Sequence, residues 1–200
     1  MEIILKMSLI GWLIFWLSIV AHVPLVIGAF KNKLDKSQVF PTWFLYFFLD
    51  MITMFSSNKL DGSYVILFGF AVGSFVMALI LLSQGRIGWS RLENVVTILI
   101  IFCIIAWYYS GPYWALIFGI GSESIVGIYL IIKTFINPTV KYNLPAYIIF
   151  LIVSIIALFD GKDWSLEQVG FPLCETILNI VIIIPLFRKI WINKGYPLYE

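Results

Sequence analysis

Three carboxylic acids interrupt long apolar stretches of this chain: Asp50, Glu123 and Glu175. An ionised carboxylate near the middle of a membrane helix costs about 2.5–3.5 kcal/mol, so such a residue is a candidate for function by default. A carboxyl group that binds a proton avoids this cost and becomes a potential proton carrier. The three acids therefore predict a binding site for a polar solute or a proton path inside a membrane.

Glu123 is the strongest candidate among the three acids. Ser122 and Ser124 flank it, and Gly119 and Gly121 precede it. Small residues of this kind allow a second helix or a ligand to approach closely. The alternative interpretation is a protonated glutamic acid that hydrogen-bonds to a neighbouring helix.

Glu175 and Asn179 are four residues apart, so a helix places them on one face. The amide of Asn179 offers both a donor and an acceptor, which suits a hydroxyl-rich ligand. The alternative is a hydrogen bond that only joins two helices, worth about 0.6 kcal/mol in a membrane. Asp50, which lies close to Trp43 on the same predicted helix, fits a binding role and a packing role equally well.

His22, the single histidine, lies beside Pro24 near the inner end of its span. Its imidazole could relay a proton or bind a ligand. The alternative is a histidine that bonds to a neighbouring backbone or side-chain group. Cys103 and Cys174 lie within spans and are predicted to be free thiols, with a disulfide as the alternative.

The candidate site residues form two sets. The substrate-binding candidates are Ser18, Trp43, Asp50, Glu123, Glu175 and Asn179, and the proton-relay candidates are His22 and Glu123. The sequence contains no Cys/His cluster and none of the HExxH, GxSxG or P-loop patterns. We therefore expect no metal, no cofactor, no catalytic residue and no enzymatic activity.

The composition makes lipid the outer solvent of these residues. Hydrophobic residues make up 62% of the chain and charged residues 12%, and the mean hydropathy is +1.00, whereas a soluble globule needs a polar exterior. Most of the apolar stretches are long enough to cross a ~30 Å hydrocarbon core as helices. The sequence predicts an all-α membrane protein with seven transmembrane helices, at about 8–30, 41–57, 63–83, 93–110, 112–133, 144–159 and 170–187.

The basic residues predict the topology. Ten of the 13 Lys and Arg residues fall on one side of the implied membrane, and only Lys6, Lys59 and Lys162 fall on the other. The positive-inside rule then places the N-terminus outside and the C-terminus in the cytoplasm. We expect a multi-pass protein of the plasma (inner) membrane whose partners are the lipid bilayer and a small-molecule solute, without nucleic acid.

The two halves of the chain repeat each other weakly. Residues 29–32 (AFKN) match 134–137 (TFIN) at an offset of 105, and residues 41–44 (PTWF) match 145–148 (PAYI) at an offset of 104. Each half has a helix that ends in a basic loop, followed by proline in the first turn of the next helix. The predicted organisation is a first three-helix repeat at 1–83, a linker helix at 84–111, and a second three-helix repeat with a short cytoplasmic tail at 112–200. The linker helix makes the two repeats parallel.

This 3+1+3 plan resembles the SWEET and PQ-loop superfamily, and most closely a bacterial, largely uncharacterised seven-span branch of it. The resemblance covers nearly the whole chain. It is carried by Pro24 and the segment from there to Trp43, by residues 91–93 (RLE), by residues 132–138 (IKTFINP), and by 171–172 (FP) followed by Asn179. It implies a transporter fold in which an Asn of the last helix contacts sugar in a central pocket, a place that Asn179 matches.

The chain departs from the superfamily pattern at two positions. Leu25 follows Pro24 where the superfamily often has Gln, and Tyr129 stands in span 5 where it has Pro. The resemblance implies that prolines act as flexing points. Pro24, Pro41 and Pro145 remain for that hinge role.

These observations favour one function and leave one alternative. The favoured function is an integral membrane carrier that moves a small polar solute, sugar-like or amine-like, by alternating access through a midplane pocket. The alternative is a non-transporting membrane receptor or structural subunit with a SWEET-like bundle, because a fold alone does not assign a function. Seven spans can enclose a pocket without a partner subunit, so a monomer would suffice. A homo-oligomer remains the other expected state.

Overall fold

The computed structural model describes residues 8–31, 34, 39–57, 63–136, 140–160 and 164–195. These residues form eight α-helices and no β-strand, which confirms the all-α fold class. The helices are α1 Leu9–Val20, α2 Val23–Phe30, α3 Phe40–Ser57, α4 Ser63–Ser83, α5 Arg91–Ser110, α6 Pro112–Ile136, α7 Val140–Asp160 and α8 Leu166–Gly195.

The first predicted span is divided into two helices. α1 ends at Val20, and α2 begins after a turn at Ala21 and His22. The cause is Pro24, whose ring nitrogen carries no hydrogen and cannot bond to the carbonyl of Val20. The break lies in the middle of one continuous apolar stretch.

Six helical stretches are long and apolar enough to cross a membrane, as expected of a multi-pass membrane protein. They are Leu9–Phe30, Tyr64–Ser83, Glu93–Ser110, Pro112–Ile132, Tyr142–Asp160 and Leu166–Phe187.

α3, which coincides with the second predicted span, is not among these six stretches. Its 18 residues give a length of about 27 Å, but its polar residues lower its hydropathy. Those side chains are turned inward: Asp50, Thr53 and Ser57 are buried by the neighbouring helices. Because protein surrounds this face of α3, the helix does not need a uniformly apolar surface.

The helices pack in the same order in both halves of the chain. In the first half, α1 and α2 pack on α4, and α4 packs on α3; in the second half, α6 packs on α8, and α8 packs on α7. The halves meet where α3 packs on α6 and where α1 and α2 pack on α7. α5 packs against both α3 and α6.

Small residues allow α6 to lie close to its neighbours, as the sequence indicated. A β-carbon at Gly119 would collide with the side chain of Thr53 on α3, and one at Gly127 would collide with Leu178 on α8. Ser124 lies 3.0 Å from the sulfur of Cys174 on α8. α6 therefore packs closely against both α3 and α8.

Hydrogen bonds join the start of α3 to the segment around the start of α5. The amide of Phe40 donates to the carbonyl of Arg86 at 2.7 Å, and the hydroxyl of Thr42 donates to the carboxylate of Glu93. Glu93 also accepts from the amide of Ser90 at 2.6 Å, which is one half of a capping box at the start of α5. Glu93 belongs to residues 91–93, which carry the resemblance to the superfamily, but its hydrogen bonds to Ser90 and Thr42 were not predicted.

Pro145 does not lie in the first turn of its helix, so that prediction was wrong. α7 begins at Val140, and Pro145 lies inside it. The predicted limit near 144 followed the change from polar to apolar residues, whereas helix formation continues through the polar residues before it. Pro41, in contrast, is the second residue of α3 as expected.

Candidate functional site

A cavity of about 110 Å³ lies between α3, α4, α6, α7, α8 and the α1–α2 junction. Its polar and aromatic lining consists of His22, Trp43, Tyr46, Asp50, Phe70, Ser74, Glu123, Tyr147, Phe150, Glu175 and Asn179. Its aliphatic lining consists of Leu25, Val126, Gly127, Leu130, Leu178 and Ile182. We call this space the central cavity.

The central cavity brings together most of the predicted site residues. Of the substrate-binding candidates, Trp43, Asp50, Glu123, Glu175 and Asn179 line it. Both proton-relay candidates, His22 and Glu123, line it as well.

Ser18 is the substrate-binding candidate that the structure does not bring to the central cavity. Its side chain is fully buried between α1 and α4 against Gly69, and its hydroxyl donates to the carbonyl of Ile14 at 2.7 Å. The first span contributes His22 instead, which lies one helical turn after Ser18 at the α1–α2 junction and lines the cavity. The repeat offset pairs Ser18 with Glu123, but the two side chains have different surroundings.

The three acids come from three different helices, and two of them accept hydrogen bonds from neighbouring side chains. Asp50 on α3 accepts from the hydroxyl of Ser74 on α4 at 3.3 Å, and Glu123 lies on α6. On α8, the amide nitrogen of Asn179 donates to the backbone oxygen of Glu175 at 2.8 Å and to its carboxylate at 3.2 Å.

The acids of the central cavity need a compensating charge. Within the described residues, the cavity lining contains no Lys or Arg to balance them. Protons or a bound cation must therefore compensate the acids, because unpaired buried charge is costly.

Two polar atoms in the cavity lining have no partner within the described residues. One is Oε1 of Glu123, and the other is the phenolic oxygen of Tyr46, and both atoms are buried. A buried polar group without a hydrogen bond costs about 1–3 kcal/mol, which a bound ligand or water would recover. Both atoms are therefore available to bind a solute.

His22 has one nitrogen committed to the backbone. Nδ1 lies 2.9 Å from the carbonyl of Ser18, so in the neutral ring Nδ1 donates and Nε2 accepts. The ring is edge-on to three aromatic rings, those of Trp43, Phe70 and Phe150, at centroid distances of 5.8, 6.1 and 4.9 Å. These contacts give the cavity lining a group of aromatic rings, which we call the aromatic wall.

The lining residues of the two halves correspond at the repeat offset. Trp43 pairs with Tyr147 and Tyr46 with Phe150 at 104 residues; His22 pairs with Gly127, Leu25 with Leu130, Phe70 with Glu175 and Ser74 with Asn179 at 105 residues. Tyr46, Phe70, Ser74, Tyr147 and Phe150 were not among the predicted site residues. The repeat offset could have located three of them, since it pairs Asn179 with Ser74, Glu175 with Phe70 and Trp43 with Tyr147.

The two thiols link α6 to its neighbours and do not bond to each other. Both cysteines are free, Cys103 being buried and Cys174 half-buried. The sulfur of Cys103 on α5 lies 3.7 Å from the hydroxyl of Ser122. Among the described residues, no group of three or more His, Cys, Asp or Glu side chains is arranged to hold a metal ion.

Comparisons with protein-family models, with curated proteins and with solved structures find no match to this chain. The fold and the site therefore carry the functional argument. They define a helical, multi-pass membrane protein with an acid-lined, partly aromatic cavity between its two halves.

Proposed function

We propose that the protein is an integral membrane carrier that moves a small polar solute by alternating access through the central cavity. The observation that carries this proposal is the convergence of three carboxyl groups, an amide and an imidazole on one cavity between apolar helices. Polar groups of this kind are expensive in a membrane and mark solute or proton pathways. Their position between two helical bundles is where secondary transporters bind substrate.

The packing order supports the proposed organisation into two parallel three-helix repeats, at 1–83 and 112–200, with α5 as the linker. In both halves the third helix lies between the first and the second. Residues at the repeat offset meet on the cavity, which is expected if the axis that relates the repeats passes through it. α3 would complete seven spans, with its polar face covered by the neighbouring helices. This arrangement also agrees with the resemblance to the SWEET and PQ-loop superfamily.

Proline positions support rocking of one half against the other. The break before Pro24 lies at His22, directly beside the cavity. Pro41 lies two residues before Trp43, at the start of α3. Pro145 inside α7 removes one backbone hydrogen bond two residues before Tyr147. Pro24 and Pro145 thus each interrupt backbone hydrogen bonding next to a lining residue, whereas Pro41 lies in the first turn of α3 and removes no helical bond.

The proposed orientation places the N-terminus outside and the C-terminus in the cytoplasm. Arg86 lies between α4 and α5, Arg91 begins α5, and Lys31 follows the end of α2. The hydrogen bond between Phe40 and Arg86 brings these two connections to the same end of the bundle. Basic residues gathered at one end favour the cytoplasmic face under the positive-inside rule.

Solute flux into liposomes tests the carrier function. Purified protein is reconstituted and assayed with a panel of radiolabelled small amines, sugars and neutral polyols, with and without a pH gradient. The expected result is saturable flux of at least one class, which Glu123→Gln reduces at least tenfold. Glu167→Gln, the same substitution on α8 at a residue outside the cavity lining, should retain flux.

Absence of flux for the whole panel, with folded protein in the bilayer, would contradict the carrier. Specific binding without flux would favour the receptor or structural-subunit alternative. Flux that Glu123→Gln leaves unchanged would contradict the central cavity as the path.

A further inference from the structure

We propose that the solute is a small organic amine, bound as its ammonium ion, and that it enters the central cavity in exchange for a proton held by the acids that line it. This inference rests on the proposed carrier function and specifies its substrate class and its coupling.

The charge of the lining selects for a cation. Asp50, Glu123 and Glu175 line the cavity, and no lining residue is Lys or Arg. An acid, a phosphate or a zwitterion would bring a negative group to a site with no positive partner for it, and that group would be desolvated without compensation. An ammonium group carries hydrogen-bond donors only, which matches an acceptor-rich wall.

Two atoms are placed to accept from such an ammonium group. Oε1 of Glu123 and the phenolic oxygen of Tyr46 are buried without a partner in the part of the chain described by the structure. Asp50 and Glu175, in contrast, already accept from Ser74 and Asn179. We assign Glu123 as the principal partner of the cation, with Tyr46 beside it on α3.

The aromatic wall suits the organic part of the molecule. Trp43, Phe70 and Phe150 surround the ring of His22 and give an apolar, aromatic surface. Aromatic faces attract cations and also cover alkyl groups. The site therefore favours an alkylammonium ion over an inorganic cation, which would leave this wall unused.

The size of the cavity separates a small amine from a sugar. A cavity of about 150 Å³ is enough to hold benzene. The central cavity, at about 110 Å³, thus holds a solute of at most about six non-hydrogen atoms in this conformation. A hexose has about twice as many and would require the helices to separate.

The exchange balances in charge and in protons. The acids of the empty site hold at least one proton, because carboxylates buried without a cationic partner are costly. An entering R–NH₃⁺ takes its place as counter-charge, and the displaced proton leaves to water on the side from which the amine came. Each amine that binds therefore releases one proton.

Other titratable groups lie near Asp50 and Glu123, and one of them is a carboxyl group. They are Tyr46 on α3, Cys103 on α5, Tyr147 on α7, Cys174 and Glu175 on α8, and His22 at the α1–α2 junction. Glu175 accepts a hydrogen bond from Asn179 and also lines the central cavity. A proton count that exceeds one would identify Glu175 as a second exchanging group.

Calorimetry on detergent-purified protein tests the substrate class. Ethylammonium chloride is titrated at pH 5.5 and 7.5, values at which the probe stays protonated, with sodium chloride, glucose and glycine titrated in parallel. We expect ethylammonium to bind, with an affinity that rises with pH by at most about tenfold per unit for one proton. Repeating the titration in buffers of different ionisation enthalpy should show about one proton released.

Matched variants and flux separate this inference from the carrier function. Glu123→Gln should lose binding and proton release, and Glu167→Gln should change neither. Binding of glucose or glycine in place of ethylammonium, or binding that releases no proton, would overturn the inference even if the protein transports. Binding of ethylammonium with proton release but without flux in liposomes would leave the amine site standing and overturn the carrier instead.

Discussion

The imidazole of His22 occupies the space where a β-carbon of residue 73 would be, because residue 73 is glycine. His22 belongs to the α1–α2 junction and Gly73 to α4. The absence of a side chain at Gly73 allows the imidazole to pack against α4, and in this position its Nδ1 lies 2.9 Å from the carbonyl of Ser18. The aromatic wall of the central cavity is built on that position.

Gly73→Ala should therefore destabilise the protein, because the new methyl group meets the His22 ring. Overpacking of this kind costs about 1–3 kcal/mol, more than the about 1 kcal/mol that alanine gains over glycine in a helix. Thermal unfolding in detergent measures the change. Gly121→Ala is the control, since a β-carbon there meets no atom within 4 Å. Equal stability of both variants would show that His22 does not lie where we describe it.

Asn179→Ala should weaken solute binding by at least about tenfold. The amide of Asn179 donates to the Glu175 carboxylate, and a hydrogen bond to a charged group contributes about 1.5–3 kcal/mol. Without it, the carboxylate is free to change rotamer and no longer faces the solute. Titration of the ethylammonium probe gives the dissociation constant. Asn94→Ala, at an exposed residue that bonds to Trp89, should bind normally.

Thr42→Val should destabilise the fold by about 1–3 kcal/mol without abolishing solute binding. The hydroxyl of Thr42 donates to Glu93, and both residues are buried. Valine leaves the carboxylate with one donor fewer in a buried position. Thermal unfolding compares this variant with Thr97→Val, whose hydroxyl bonds only to a carbonyl of its own helix, that of Glu93. A loss of stability in Thr97→Val as large as in Thr42→Val would contradict a specific link between α3 and α5.

Cysteine labelling should reveal opposite ends of the bundle on opposite sides of the membrane. Ile87, between α4 and α5, and Trp164, before α8, are both exposed, at 63% and 73%. In a protein whose Cys103 and Cys174 are replaced by alanine, Trp164→Cys should react with an impermeant maleimide on intact cells. Ile87→Cys should react only after the cells are opened. The reverse pattern would invert the proposed orientation.

Much of the fold was readable from local sequence. Helix existence follows from apolar length and from breakers such as Pro24, so the predicted spans agree with most helices of the structure. Asp50, Glu123 and Glu175 stood out because charge is costly in an apolar segment. The spacing of Glu175 and Asn179 predicted one helix face, and the two side chains do bond to each other.

Tertiary structure alone decided which residues meet. Asp50 and Glu123 are on different helices, far apart in the chain, and no local pattern pairs them. Ser18 faces Gly69 while His22 faces the cavity, although the two lie on one face of the same apolar stretch. The reason is physical: lipid and protein interior are both apolar, so a membrane helix carries no amphipathic signal for its inward face. Only the packing of α3, α6 and α8 turned three separate acids into one site.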